Sequence, residues 1–204
     1  MISETFYYDR RKERVLKKVT QGSITSTLYL RGMSEYPLGE KTSTGMSRQY
    51  VYGPTGLIAA VDNSTTYYTF KDHLGSTRAV MNGATGTGVE YYAYDAWGAI
   101  MQSQVSPDIK YKYTSQELDG QTGIYNYRAR MYDQSLGRFY ATDPAGEGYS
   151  PYNYAANNPM SYVDPTGEDG IITWGRLYDP TRDPKWWRMR EKEEALERAR
   201  HERG

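Results

Sequence analysis

The sequence predicts an all-β fold of stacked antiparallel β-hairpins that ends in a short C-terminal helix. Three observations lead to this prediction: a repeat of about twenty residues, aromatic residues two positions apart within each repeat, and an Asp or Gly turn signal after each pair. Side chains two positions apart leave the same face of a strand, so each pair marks one aromatic face. Asp and Gly favour the turns that close short hairpins.

The repeat is clearest from residue 50 onward. Its units are anchored by five aromatics that are separated by 18, 24, 19 and 19 positions: Tyr52, Phe70, Tyr94, Tyr113 and Tyr132. Such a unit is long enough for one hairpin, and a single hairpin cannot bury its aromatic face alone. We therefore expect neighbouring hairpins to join into one continuous sheet. The alternative is an ordinary β-sandwich in which the tyrosine spacing is accidental.

Composition excludes several classes of function. The chain has 204 residues, with 25 basic and 25 acidic side chains, two histidines and no cysteine. A formal charge of zero gives no overall basic field, so we expect no nucleic-acid partner. Without cysteine and with so few histidines, we expect no metal centre and no cofactor. No segment approaches the roughly 20 apolar residues of a membrane span, so membrane insertion is not expected.

The 22 tyrosines and three phenylalanines predict a core of buried rings whose hydroxyls keep hydrogen-bond partners. Three other features receive structural interpretations. The charge run at 10–18 is interpreted as a solvated strand or hairpin, not a binding patch. The glycines at 83–88 are interpreted as a hairpin loop, because no lysine or helix pattern follows them as in a phosphate-binding loop. His73 lies in a repeat turn, where we expect a packing or hydrogen-bonding role.

An ordered series of motifs occupies the chain from about residue 50 to residue 167. In chain order they are Asp72-His-Leu-Gly-Ser76, Tyr94-Asp-Ala-Trp-Gly98, Gln116-Glu-Leu-Asp-Gly-Gln-Thr-Gly-Ile-Tyr125, Tyr127-Arg-Ala-Arg-Met-Tyr-Asp133, Leu136-Gly-Arg-Phe139, Thr142-Asp-Pro144, Tyr152-Asn-Tyr154, Asn157-Asn-Pro159 and Asp164-Pro-Thr-Gly167. Together they resemble the RHS repeat-associated core, which is the C-terminal portion of YD-repeat (RHS) proteins of the polymorphic-toxin type.

The resemblance implies a YD-repeat sheet that spirals into a hollow shell, with the core segment winding inward as a plug. It divides the chain into divergent YD-like hairpins at 1–49, the core at 50–167, and a variable linker and helix at 168–204. In bacterial toxins of this kind, a variable effector follows the Asp-Pro-x-Gly motif. The implied partners are an upstream RHS/YD-repeat shell or a C-terminal effector cargo. The implied location is secreted or at the cell surface, although the N-terminus shows no signal peptide.

Some members of the family cut themselves just after the Asp-Pro-x-Gly motif with aspartates of the core. The resemblance would place that catalytic pair at Asp143 and Asp164, with Asp133 as a further candidate. Two carboxylates can share one proton, so that one activates water while the other protonates the leaving group. Arg138 is the cation expected to keep one carboxylate ionised or to stabilise the oxyanion. The enzyme activity implied is a single-turnover aspartyl autoprotease.

A structural alternative competes with this interpretation. Four of the nine prolines follow an aspartate, and Asp before Pro is a common turn starter. The chain also departs from the family pattern, because Glu168 and Asp169 stand where an apolar residue, often Leu, usually follows the motif. Acidic neighbours would raise the pKa of a carboxylate pair and disturb its shared proton.

Size limits how much of a shell this chain can build. At ~3.3 Å per residue and ~4.8 Å between strands, some 165 residues tile at most roughly 2,600 Å². A cargo of ~100 residues needs a wall on the order of 6,000 Å². We therefore expect a terminal fragment of a longer shell, a cap on another chain, or a degenerate remnant.

Beyond Gly167 the composition changes. Residues 191–203 contain strong helix formers and a Glu194–Arg198 pair at i,i+4, which predict the short helix. A docking segment or truncated remnant is favoured for the tail over an active toxin.

The rival function for the whole chain is a surface adhesion or carbohydrate-binding module, in which exposed tyrosines and tryptophans stack on sugars. Burial of the rings would separate the two functions.

Overall fold

The computed structural model describes residues 3–10, 13–32, 36–45, 47–53, 56–104, 109–144, 146, 150–168 and 172–173. Ten strands of this part form one antiparallel sheet whose spatial order follows the chain: β1 (Ser3–Tyr8), β2 (Arg14–Gln21), β3 (Ser23–Arg31), β4 (Pro37–Thr42), β5 (Ser47–Gly53), β6 (Gly56–Asp62), β7 (Thr65–Lys71), β8 (Thr77–Asn82), β9 (Gly88–Tyr94) and β10 (Ile100–Gln104). The all-β fold predicted from the repeat is confirmed.

Two smaller sheets and two 3-10 turns complete the described residues. The second sheet has the order β11 (Glu117–Asp119), β12 (Ile124–Asn126), β13 (Met131–Asp133) and β14 (Arg138–Phe139), and the third pairs β15 (Tyr162–Val163) with β16 (Ile172–Thr173). The 3-10 turns are Tyr113–Ser115 and Ala155–Asn157. The helix predicted near the C-terminus lies outside the described residues. Within the described part, no helix is long and apolar enough to span a membrane.

The first three repeat units each form one hairpin. Their anchors Tyr52, Phe70 and Tyr94 lie on β5, β7 and β9, so each interval contains two strands of the ten-stranded sheet. The boundary drawn at residues 49 and 50 falls inside β5, and the sheet continues across it. Strands β1 to β10 therefore form one continuous sheet that spans this boundary.

The last two repeat units do not extend this sheet. Tyr113 lies in a 3-10 turn and Tyr132 lies on β13, so the expectation of one sheet throughout is wrong beyond β10. The chain instead turns back and covers one face of the sheet, where Ile109 and Tyr111 pack with Tyr50, Leu57, Ala60 and Val80. We call the face covered by residues 109–119 the inner face and the opposite one the outer face.

The aromatic pairs do not all share the inner face. Tyr92 and Tyr94 stack with ring centroids 6.1 Å apart, and the Tyr92 hydroxyl accepts a hydrogen bond from Lys112 of the covering segment. Tyr68 and Phe70 lie on the outer face, where they are 45% and 50% exposed. The spacing of two places each pair on one face, but it does not determine which face becomes covered.

Two cations of the charge run are buried on β2. Arg14 and Lys17 are 1% and 9% exposed, because β11 lies over the inner face of their strand. Both side chains donate to Asp119, from Arg14 Nη1 and Nη2 at 2.8 and 2.9 Å and from Lys17 Nζ at 2.9 Å. The interpretation of this run as a solvated strand is therefore wrong for these two residues.

The second sheet encloses the main aromatic core. The buried residues of this core are Leu74, Tyr113, Tyr125, Tyr127, Tyr132, Phe139, Tyr154, Ala155 and Val163. Three of the tyrosine hydroxyls donate to carbonyls of the turn after β9: Tyr113 to Ala96 at 2.9 Å, Tyr132 to Trp97 at 2.8 Å and Tyr125 to Gly98 at 3.1 Å. The preference for tyrosine over phenylalanine follows, because these hydroxyls satisfy backbone carbonyls that the fold removes from water.

Candidate functional site

The Asp-Pro-Thr-Gly turn at 164–167 is ordered by its own aspartate. Asp164 Oδ1 accepts hydrogen bonds from the backbone nitrogens of Gly167 at 2.7 Å and Thr166 at 3.2 Å. Gly167 has φ +70, and a Cβ there would lie 2.6 Å from the Tyr127 carbonyl oxygen. The turn thus packs directly on the backbone of the aromatic core, and only glycine fits at its end.

Arg130 brings the two predicted aspartates together. Its Nη2 lies 3.0 Å from Asp164 Oδ2 and 3.9 Å from Asp143 Oδ1. The side chains of Arg130 and Asp164 are 3% and 5% exposed, and that of Asp143 is 10% exposed. A single shielded guanidinium therefore faces both carboxylates.

The same guanidinium also holds the backbone. Arg130 Nε donates to the Gly167 carbonyl oxygen at 2.5 Å, and Nη1 donates to the Pro151 carbonyl oxygen at 3.3 Å. Its Cζ lies 3.8 Å from the centroid of the Phe139 ring, so cation–π contact and hydrogen bonds fix its plane. The carbonyl at the end of the Asp-Pro-Thr-Gly motif is therefore polarised by a buried cation.

Burial changes the acidity of Asp164. Removal of the carboxylate from water raises the pKa of Asp164, while Arg130 and the backbone N–H groups of Gly167 and Thr166 oppose that rise. The net direction is upward, which favours the protonated form more than in water. Asp143 lies in the loop after β14, where its backbone nitrogen donates to the Pro151 carbonyl oxygen at 2.8 Å.

Asp133 and Arg138 lie together at a different place. They pair across β13 and β14, and Arg138 is exposed. Asp133 Oδ1 accepts from the Ser135 hydroxyl at 2.6 Å, and Oδ2 accepts from the Tyr140 hydroxyl at 2.6 Å. These hydrogen bonds lower the pKa of Asp133, the one from Ser135 most. The surroundings of Asp133 are those of a hairpin turn residue.

The cation beside both aspartates is thus Arg130, and the sequence-based choice of Arg138 did not anticipate it. The sequence did contain a signal for Arg130, because this residue lies inside the motif 127–133, between the buried Tyr127 and Tyr132. Spacing alone does not show which arginine turns toward the loops at 143 and 164.

Two further side chains hold the turn. Gln116 Nε2 donates to the Pro165 carbonyl oxygen at 3.0 Å, and Arg128 Nη2 donates to the same oxygen. Arg128 itself has φ +66, in the left-handed region that residues other than glycine rarely adopt. The turn is therefore fixed from three sides by Gln116, Arg128 and Arg130. Among the described residues, no cluster of His, Cys, Asp or Glu has the arrangement of a metal site.

A wall of consecutive YD-type hairpins, covered on its inner face by the segment that follows, defines a β-shell protein. The Teneurin YD-shell family model matches residues 2–162, and the chain belongs to this family. The match includes the N-terminal hairpins as well as the core. The family resemblance drawn from the motifs is confirmed, and a structural role in an RHS/YD-repeat shell follows from it.

Relatives of several kinds share this segment. The chain is 37% identical over 183 residues to Salivary gland surface protein 1 of Aedes aegypti, with 81% of this chain and 5% of that protein covered. It is 31% identical over 172 residues to tRNA nuclease WapA of Bacillus subtilis (strain 168), with coverage of 80% and 7%. It is 30% identical over 191 residues to Toxin subunit YenC1 of Yersinia entomophaga, with coverage of 81% and 19%.

The fold also matches a solved structure. The crystal structure of TcdB2-TccC3 superposes with a TM-score of 0.69 at 22% identity, covering 80% of this chain and 9% of that one. The alignments with these relatives thus span from 5% to 19% of their lengths.

Proposed function

We propose that the chain is the closing segment of an encapsulating shell and cleaves its own backbone once, after Gly167, with Asp143, Asp164 and Arg130. The observation that carries this proposal is the position of Arg130. One buried guanidinium contacts both carboxylates and the carbonyl of the peptide bond that would break. Asp133, which is half-buried, and Arg138, which is exposed, lie at a separate hairpin and are assigned no direct part in the chemistry.

The proposed step is hydrolysis of the Gly167–Glu168 peptide bond. Asp143, as carboxylate, accepts a proton from water while the water oxygen attacks the Gly167 carbonyl carbon. Negative charge develops on the Gly167 oxygen, which already accepts from Arg130 Nε at 2.5 Å. Asp164, whose burial favours the protonated form, gives its proton to the departing nitrogen of Glu168. The products are a Gly167 carboxylate and a new amino terminus at Glu168.

The arrangement of Gln116 and Arg128 supports a preorganised substrate. Both donors fix the Pro165 carbonyl, two residues before the bond to be cut. A turn fixed in this way loses little conformational freedom on reaching the transition state. Such fixed orientation of the reacting groups contributes much of the rate of intramolecular reactions.

The partners proposed are the remainder of a YD-repeat shell and an effector segment that begins after Gly167. The names of two relatives support this assignment, since one is a tRNA nuclease and another a toxin subunit, and the aligned region is a small part of each. We propose a secreted location on the same grounds. The released piece in this chain would be residues 168–204.

Intact mass spectrometry tests the cleavage. The purified chain, incubated at pH 5 to 7, is expected to lose a fragment of about 37 residues, positions 168–204. Asp143→Asn, Asp164→Asn and Arg130→Met should each stay at full length. Asp133→Asn is the matched control and should be processed like the parent. A parent chain that keeps its full mass for days would refute the proposal.

A second candidate function is carbohydrate binding on the outer face. Phe70 and Tyr91 flank Ala79 across three strands in register and are 50% and 49% exposed, and Tyr68 lies two positions from Phe70. Exposed rings grouped in this way form an open apolar platform on which sugar rings could stack. Glycan-array binding that disappears in Phe70→Ala but persists in Tyr7→Ala would support this candidate. Equal binding by both variants would exclude this platform.

A further inference from the structure

A lysine and a serine meet beside the hairpin between β5 and β6. Lys71 Nζ lies 2.7 Å from Ser115 Oγ, although the residues are 44 positions apart in the chain. Lys71 ends β7, where the register with β8 shifts between Phe70 and Lys71, and Ser115 ends the first 3-10 turn. The pair is separate from the Asp-Pro-Thr-Gly turn and plays no part in the cleavage proposed above.

The backbone that presents Ser115 is strained. Thr114 and Ser115 have φ values of 45 and 61, in the left-handed region that residues other than glycine rarely adopt. This conformation is maintained by hydrogen bonds from Thr114 N to Ser76 Oγ at 3.0 Å and from Ser115 N to the Lys112 carbonyl at 3.2 Å. A strained turn that fixes a serine hydroxyl against a base is a recurring arrangement around nucleophiles.

The amine of Lys71 is prepared to accept a proton. Burial lowers the pKa of Lys71 to about 8, so its neutral fraction at pH 8 is much larger than that of an ordinary lysine. The serine is in turn oriented by a third group, because Ser115 Oγ donates to the Gly75 carbonyl oxygen at 2.8 Å. Nucleophile, base and orienting acceptor are therefore all within hydrogen-bond distance.

A glycine lies directly beside the pair. Gly56 has φ +88, and a Cβ at that position would lie 3.0 Å from Lys71 Nζ and 3.6 Å from Ser115 Oγ. Any larger residue would therefore crowd the two reactive atoms. Glycine at position 56 therefore lets Nζ and Oγ lie close to the backbone of β6 without being pushed apart.

We propose that Ser115 and Lys71 form a nucleophilic dyad that accepts an acyl group from an activated carboxylic ester or thioester. Ser115 Oγ attacks the acyl carbonyl carbon while its proton passes to the neutral Lys71 amine. The Oγ–carbon bond forms, the bond to the leaving group breaks, and the Lys71 ammonium returns the proton to the departing alkoxide or thiolate. The products are an acyl-Ser115 ester and a free alcohol or thiol.

The test uses para-nitrophenyl acetate with the full chain at pH 8. We expect a burst of about one nitrophenolate per chain and an acetyl group that peptide mass mapping places on Ser115. A fluorophosphonate probe should label the same residue. Ser115→Ala should abolish both signals. Lys71→Met should slow acetylation by about 100-fold, the usual contribution of a general base. Ser103→Ala, at an exposed serine of β10, is the matched control and should leave the burst unchanged.

Several outcomes would overturn the proposal: no burst, an acetyl group on Lys71 instead of Ser115, or an undiminished rate in Lys71→Met. Should Lys71→Met fail to fold by circular dichroism, Lys71→Arg replaces it, since arginine keeps a donor and a charge but has no neutral form near pH 8. A normal burst in Lys71→Arg would refute the role of the amine. Asp143→Asn should retain the burst, which separates this site from self-cleavage.

Discussion

Arg14 on the second strand forms a bidentate hydrogen bond with Asp119, 105 residues further along the chain, at 2.8 and 2.9 Å. Both side chains are fully buried. The contact joins the N-terminal hairpin of the wall to the first strand of the second sheet. The inner face of the ten-stranded sheet is thus joined to the covering segment, residues 109–119, by ion pairs as well as by aromatic packing.

Asp119→Asn should therefore destabilise the chain strongly. It removes the carboxylate that Arg14 and Lys17 share, while Arg14 keeps that of Glu117 at 3.4 Å and Lys17 that of Glu4 at 2.7 Å. The loss should therefore approach, but stay below, the cost of about 3–5 kcal/mol that is typical when a buried charge loses every partner. The free energy of unfolding from urea titration measures the loss. Asp133→Asn, at a carboxylate in an exposed turn, should cost much less, and equal losses in the two variants would contradict the role given to Asp119.

The aromatic core should depend on tyrosine hydroxyls as well as rings. Tyr132→Phe removes the donor to the Trp97 carbonyl, 2.8 Å away, and leaves that oxygen without this donor. We expect a loss of about 1–3 kcal/mol in the free energy of unfolding. Tyr68→Phe, on the outer face, should be nearly neutral. A neutral Tyr132→Phe would show that water replaces the hydroxyl.

Two glycines with almost the same φ separate backbone strain from steric crowding. Gly45 and Gly98 have φ +94 and +92; a Cβ would meet nothing within 4 Å at Gly45 but would lie 2.5 Å from the Tyr113 ring at Gly98. Gly45→Ala should cost roughly 1–2 kcal/mol. Gly98→Ala should cost about 1–3 kcal/mol more, because the ring must move. Equal shifts in the urea midpoint would argue against the close packing of Tyr113 on this turn.

The upward shift of the Asp164 pKa has a consequence for stability. Since the folded state holds the proton more tightly than the unfolded chain, the stabilisation from neutral Asp164 is complete below the ordinary pKa of 3.8. It is lost as pH rises through the folded-state pKa. Urea titrations of the cleavage-deficient Asp143→Asn chain between pH 3 and 7 should show this decline. Adding Asp164→Asn should flatten it, and an unchanged slope would assign the decline to other groups.

The residue after the Asp-Pro-Thr-Gly turn should control the rate of the proposed cleavage. Glu168 contributes the nitrogen of the bond to be cut, and its side chain is acidic. Glu168→Leu removes this negative charge from the peptide that must react with a carboxylate pair sharing one proton. We expect faster release of the C-terminal fragment at pH 6, measured by intact mass over time. Glu168→Asp is the charge-preserving control and should behave like the parent. A slower Glu168→Leu would assign Glu168 a positive role.

Local sequence patterns predicted much of the ten-stranded sheet. Aromatics two apart and Asp or Gly turns identified the hairpins around Tyr52, Phe70 and Tyr94, because strand alternation and turn chemistry depend on neighbouring residues only. The same patterns failed after β10. Tyr113 and Tyr132 repeat the spacing but enter the core, since the direction of the chain after a strand is not encoded in a two-residue period.

The candidate site shows the same division. The motifs selected Asp143 and Asp164, and the fold brings both carboxylates to one guanidinium. The sequence suggested Arg138 as the accompanying cation, whereas in the structure that cation is Arg130. Similarly, the charges of Arg14 and Lys17 suggested a solvated segment. Their pairing with Asp119 could not be inferred from neighbouring residues, because Asp119 lies 105 positions after Arg14 and 102 positions after Lys17.

The sequence by itself determined the strands, their turns, the family and the aspartates worth testing. Only the tertiary structure decided which face of each strand is covered and which cation reaches each carboxylate. Strand and turn preferences arise from contacts within a few residues, whereas burial and ion pairing depend on segments that meet only after the chain has turned back over its own sheet.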